Sequence, residues 1–125
     1  MLITDYNLES LRYKVEQEGG FQIAITPIYP QLFEKVARDA DALHDKLEQA
    51  GYSVLMDNRN QKPRNMFAVI EFLGIPHRLT LSGRSLEVGV YEYFNSHTEF
   101  RSKIKREEVL DFMEQQIDLA GLNPD

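Results

Sequence analysis

Apolar side chains recur at steps of three and four from Phe33 through Val36, Ala40, Leu43 and Leu47 to Ala50. That spacing puts them on one face of a helix and predicts one over about 31–50. Pro30 stands just before its first turn and Gly51 just after its last, the residues expected to start and stop a helix. A second stripe, Met66, Phe67, Ile70 and Leu73, predicts a helix opened by Pro63 and closed by Gly74. A third, Val109, Met113, Ile117 and Ala120, predicts a last helix over about 106–120 with Gly121 as its cap. Leu8, Leu11 and Val15 form a weaker stripe within 6–18, ended by Gly19-Gly20.

Between these stripes the period changes. Phe21 to Pro30 (FQIAITPIYP) is β-branched and aromatic, stopped by two prolines, and reads as a strand. Tyr52 to Met56 is a short strand running into Asp57. Leu79 and Leu81 alternate after Pro76, and Val88 to Phe94 is a strand rich in Val and Tyr. Asn95-Ser96-His97 turns the chain, and 98–103 returns as a further strand. Ser82-Gly83-Arg84-Ser85 reads as a turn. The order (α)βαβαβββα favours the α/β class, a parallel or mixed sheet with helices on both faces. The strand–helix–strand units are expected to cross over right-handed.

The 125 residues fit one domain, with 1–20 as an N-terminal extension or short helix and 21–121 as the body. There is no cysteine, which excludes disulfide scaffolds, thiol nucleophiles and Cys-based zinc sites. No apolar run approaches the roughly 18 residues of a membrane span. The first twenty residues carry both signs of charge and do not resemble a signal peptide. A cytoplasmic protein with no membrane association is expected.

Charge changes the picture further. The chain has 14 Lys+Arg against 20 Asp+Glu, a net of -6, which argues against a generic polybasic nucleic-acid binder. The distribution is uneven. Residues 1–56 hold 5 basic and 9 acidic side chains, and 85–125 hold 4 and 9. Residues 57–84 instead hold Arg59, Lys62, Arg64, Arg78 and Arg84 against Asp57 and Glu71. Attraction to a polyanion follows such local fields, not the total.

Familiar catalytic motifs are missing: no phosphate loop, dinucleotide fingerprint, zincin pair or nucleophile elbow occurs. No catalytic residue, metal or cofactor is expected. His44, His77 and His97 are far apart in sequence, and Asp39, Asp41 and Asp45 read as the solvated side of a helix. The turn at Ser82–Ser85 reads as a plain turn, with anion binding through its N–H groups as the alternative. Arg101-Ser-Lys-Ile-Lys-Arg106 is a basic run that either contacts phosphates or protects a strand edge.

The informative stretch is 57–78, DNRNQKPRNMFAVIEFLGIPHR. It is a strand end, a polar loop, a proline-opened helix, a glycine stop and a second strand. The loop sits at the carboxyl end of a strand, where open α/β sheets place ligands. Arg reads guanine bidentately, and Asn or Gln reads adenine. Phe67 reads as core, with stacking as the alternative.

Asp57, Arg59, Pro63, Phe67, Ala68, Glu71, Gly74, Ile75 and Pro76 stand here in the register of a known pattern. The segment resembles the C-terminal anticodon-binding domain of class IIa aminoacyl-tRNA synthetases, most closely the bacterial prolyl type. The resemblance covers about 20–120. It implies a three-layer α/β/α fold with a mixed five-stranded sheet flanked by three helices, in agreement with the order above. It also implies binding of tRNA, proline type, at the anticodon arm, and no DNA. The RNA-binding candidates it gives by position are Asp57, Arg59, Lys62, Glu71, Arg78 and Arg84; Asn60 and Arg64 join them as polar and basic side chains of the same loop. Arg59 and Lys62 would contact bases or phosphates. Asp57 and Glu71 would either accept from guanine N–H groups or orient the cations.

The chain departs from the family pattern in places. Asn58 replaces a second Asp, Arg64 a Gly and Val69 an Asp. Asp57-Asn-Arg-Asn60 is also similar to the threonyl-type motif. Tyr93, Phe94 and Asn95 stand where the family has a basic cluster. No class II catalytic motifs are present, so amino-acid activation by this chain is not expected. It reads as a stand-alone paralogue or an excised domain. The alternative reading is a repurposed interaction module, bound to a synthetase or to itself, that has lost anticodon readout.

Overall fold

The computed structural model describes residues 2–3, 8–17, 20–59 and 61–121. In chain order the elements are β1 (Leu2–Ile3), α1 (Leu8–Gln17), β2 (Ile23–Pro27), α2 (Glu34–Gln49), β3 (Val54–Asp57) and α3 (Pro63–Phe72). They continue with β4 (His77–Leu81), α4 (Gly83–Glu87), β5 (Val90–Asn95), β6 (Arg101–Lys105), a 3-10 turn at Arg106–Glu108 and α5 (Val109–Gly121). The sheet order is β1-β3-β2-β4-β5-β6. Strands β1, β3, β2 and β4 run parallel, while β5 and β6 are antiparallel additions. The five strands read from the sequence are all present, and two-residue β1 extends the sheet beside β3. The segment read as a turn at 82–85 instead begins α4. Ser82 and Ser85 cap it reciprocally, each side chain bonding the other's backbone N–H at 3.0 Å.

The pleat sends alternate residues to opposite faces, and each face has its own core. Ile23, Ile25, Val54, Met56, Leu79 and Leu81 pack with α2, α4 and α5. Ala24 and Leu55 pack with Val15 of α1 and with Val69, Ile70 and Leu73 of α3. The α2 stripe is buried as its spacing predicts, at Val36, Ala40, Leu43 and Leu47. Each fully buried Val or Leu contributes about 1.5–3 kcal/mol. Helices α2 and α3 both end in a left-handed glycine, Gly51 (φ +99) and Gly74 (φ +73). In each case the glycine N–H and the next residue's N–H reach back to close the last turn, Gly51 to Glu48 and Tyr52 to Leu47, Gly74 to Glu71 and Ile75 to Ile70.

The antiparallel strands β5 and β6 are covered differently on their two sides. On the α5 side Tyr93 is buried, its ring edge-on to Phe112 at 4.8 Å and its hydroxyl 2.8 Å from His77 Nδ1. Burial, helped by the charge of His97, pushes the His77 pKa below its ordinary value. Unfolding therefore takes up a proton as the solution is acidified, and stability is lost as pH falls through the unfolded value of about 6.5. Thermal melts between pH 7.5 and 5.5 should show a falling midpoint, and His77→Gln should flatten that slope. An identical slope in the variant would assign the effect to other groups.

Candidate nucleic-acid interface

On the other side, β5 and β6 lie beyond the cover of α1 and α3. The register fixes what stands there. Arg78 of β4 is paired with Phe94 of β5, and Phe94 with Arg101 of β6, so the three side chains form a row across adjacent strands. The next row down the strands is Thr80, Glu92 and Lys103. Phe67 of α3 overhangs the first row. The Arg78 guanidinium lies 3.7 Å from the Phe67 ring centroid and 4.6 Å from that of Phe94. Arg101 lies 4.4 Å from the Phe94 centroid. The result is an alternating stack, Phe67–Arg78–Phe94–Arg101, with its Arg101 end exposed to solvent.

Aromatic faces hold the guanidinium planes without consuming their N–H donors. Neither Arg78 nor Arg101 has a carboxylate within 4 Å among the described residues, and Arg78 Nε is buried without a hydrogen-bond partner. Burial and the neighbouring Arg101 lower the Arg78 pKa to about 10, against weaker opposing effects of Glu71 and Glu92. It stays charged at neutral pH. The site thus offers two oriented cations whose donors await an acceptor.

Asp57 and Arg59 are arranged otherwise. Asp57 ends β3 on the α3 side and is fully buried. Its two oxygens receive Arg59 Nε and Nη2, both at 2.9 Å, and the Arg59 backbone N–H at 3.2 Å. This fork raises the Arg59 pKa. Both oxygens of this enclosed carboxylate are engaged by Arg59, whose guanidinium it holds in place. Lys62 and Arg64 are exposed at the start of α3, where with Tyr29 they border a recess of about 430 Å³.

The sequence candidates are therefore divided. Glu71 and Arg78 come together beside Phe67. Lys62 and Arg64 lie at the other end of α3, about 10–14 Å from Glu71 along the helix axis at 1.5 Å per residue. Arg84 lies in α4 against the α2 face, on the opposite side of the sheet from Arg78. Asn60 lies outside the described residues. Phe67, read as core, is half-buried and stacks on Arg78. Phe94 and Arg101 were not singled out together, because only the β5–β6 register joins them. Val69, where the resemblance leads one to expect a carboxylate, is buried with Val15 and Leu73, on the side of α3 away from Phe67 and Glu71. Among the described residues the single trio of close metal-ligating side chains is His44, Asp45 and Glu48 on the solvated side of α2. No helix among the described residues is long and apolar enough to cross a membrane.

Fold and face together define a three-layer α/β/α module that presents a stacked, cationic surface on its antiparallel strands. Residues 22–116 match the model of the anticodon binding domain, and the chain belongs to that family. It is similar to proline–tRNA ligases. The enzyme of Psychrobacter arcticus is 41% identical over 90 residues, covering 72% of this chain and 16% of that protein. That of Polaromonas naphthalenivorans is 36% identical over 99 residues, covering 79% and 17%. That of Leptothrix cholodnii is 37% identical over 97 residues, covering 78% and 17%. The chain thus spans about one sixth of the length of these relatives. The matched region is an anticodon-binding domain and does not include a catalytic one.

Proposed function

We propose that the chain binds tRNA at the anticodon arm, proline type, through the open face between α3 and β6. Its part is recognition in the cytoplasm and not aminoacylation. The Phe67–Arg78–Phe94–Arg101 stack carries this reading. An unpaired base stacks on the exposed Arg101 plane, continuing the alternation. The free donors of Arg78 suit the O6 and N7 acceptors of a guanine, and Glu71 beside it suits guanine N–H groups. Lys62, Arg64 and Lys103 are exposed cations placed for phosphates. The burial of Val69 away from this face supports the reading, since the carboxylate lost there would not have lined it.

Direct binding to proline tRNA, a threonine tRNA and a proline tRNA with an altered anticodon tests this at two salt concentrations. Affinity for proline tRNA should fall by roughly tenfold or more on changing an anticodon guanine. It should also fall with salt, by a slope of about 0.7 per phosphate neutralised. Equal binding to all three RNAs would remove anticodon readout. Absence of binding at low salt would leave the protein-interaction module as the function.

A further inference from the structure

The basic run Arg101–Arg106 is divided by the fold. Strand β6 turns Ser102 and Ile104 toward α5, and Ile104 enters the core there. Arg101, Lys103 and Lys105 alternate with them, so they stand together on the open face, and all three are exposed. Arg106 leaves the strand and pairs with Asp39 at 3.2 Å. Three cations remain in one line, roughly 7 Å apart over about 14 Å at 3.4 Å per residue. None of them has a carboxylate within 4 Å among the described residues. Glu92, opposite Lys103 in the register, is the one acidic residue of β5 and β6. The line follows the last strand of the sheet.

We infer that this line is a track for an RNA backbone, in which Lys103 and Lys105 hold consecutive phosphates of a single strand whose base stacks on Arg101. The inference rests on the RNA-binding reading above and gives that surface a direction, along β6 away from the stack. The track is continuous with the stack, because Arg101 belongs to both. The residue types follow the same division. A planar guanidinium stands where a base would lie, and compact ammonium groups, which bind phosphate as point charges, stand beyond it. The two-residue step of a β-strand is close to one nucleotide repeat of an extended chain. A guard against edge pairing needs charge but no particular face. Here the charge lies on the face that carries the stack. An acidic peptide would satisfy the lysines and leave the Phe94–Arg101 platform unused.

Fluorescence anisotropy of a synthetic proline-type anticodon stem-loop tests the track, with the full chain and its Lys103→Gln/Lys105→Gln variant. The slope of log affinity against log salt should be shallower in the variant by about 1.4, or 0.7 for each phosphate released. Discrimination against a changed anticodon should be kept. Neutral methylphosphonates placed singly through the loop should weaken wild-type binding at two consecutive positions, and should have no effect there in the variant. A variant with the wild-type slope, or a wild-type scan without a consecutive sensitive pair, would overturn the track and leave anticodon readout standing. So would an acidic peptide of equal charge that displaces the stem-loop as well as unlabelled RNA does. Circular dichroism and sedimentation check the variant, and aggregation with an unchanged slope would make the lysines an edge guard instead. A wild-type protein that does not bind the stem-loop at low salt would overturn the RNA-binding reading and the track with it.

Discussion

Arg78→Lys should weaken tRNA binding by about ten- to a hundredfold, the 1–3 kcal/mol of a bidentate base contact, with the fold intact. Lysine keeps the positive charge and most of the aliphatic stem. It loses the flat, delocalised cation that Phe67 and Phe94 hold between them, and the paired donors that a guanine edge requires. The salt dependence should consequently stay as in the wild type while discrimination between anticodons disappears. Lys62→Ala should do the reverse, lowering the salt slope and sparing discrimination. Filter binding or fluorescence anisotropy at several salt concentrations reads both quantities. If Arg78→Lys binds and discriminates as the wild type does, the stack is a structural device of the sheet and the recognition surface lies elsewhere.

Asp57→Ala should be the most destabilising single change at the site. Removing one partner of a buried ion pair costs about 3–5 kcal/mol, and the partial exposure of Arg59 brings the expectation to about 2–3 kcal/mol. Three hydrogen bonds vanish at once, and the Arg59 guanidinium, 21% exposed, keeps its desolvation without its counter-ion. Asp57→Asn should fall between, since an amide oxygen accepts but cannot serve both guanidinium nitrogens. Urea unfolding with an unchanged m-value measures the loss. A cost below about 0.5 kcal/mol, the range of ordinary surface substitutions, would mean that the pair is solvated in solution.

These two residues also mark where the sequence was legible. The α2 stripe and its glycine stop specified the body and the end of that helix, because burial of one face imposes the 3.6 period; its start was read too early, since the chain turns at 30–32 after Pro30 and the helix opens only at Glu34, with Phe33 as its N-cap. Pro63 and Gly74 marked both ends of α3. The local reading failed at α4, where Ser82 and Ser85 look like turn residues and their capping role needs the β4 ending to be seen. The site was half legible. Asp57 to Glu71 lie in one segment and keep the family register, but the row Arg78, Phe94, Arg101 is made by hydrogen-bond register between strands, which spacing along the chain does not encode. Asp57 is legible as a residue, but its burial and its fork to Arg59 are not, since both depend on how the end of β3 packs beneath α3.

The family match begins at residue 22, yet the sheet does not begin there. Ile3 pairs with Asp57, and Val15 is part of the core beneath α3. Cutting the chain at the family boundary would strip β3 of its neighbour along Met56 and Asp57 and leave open backbone N–H and C=O groups beside newly bared apolar surface. Such an edge is a template for intermolecular strand pairing. A fragment starting near residue 21 would thus be prone to aggregate, and the N-terminal segment acts as this sheet's own guard against fibril-like growth.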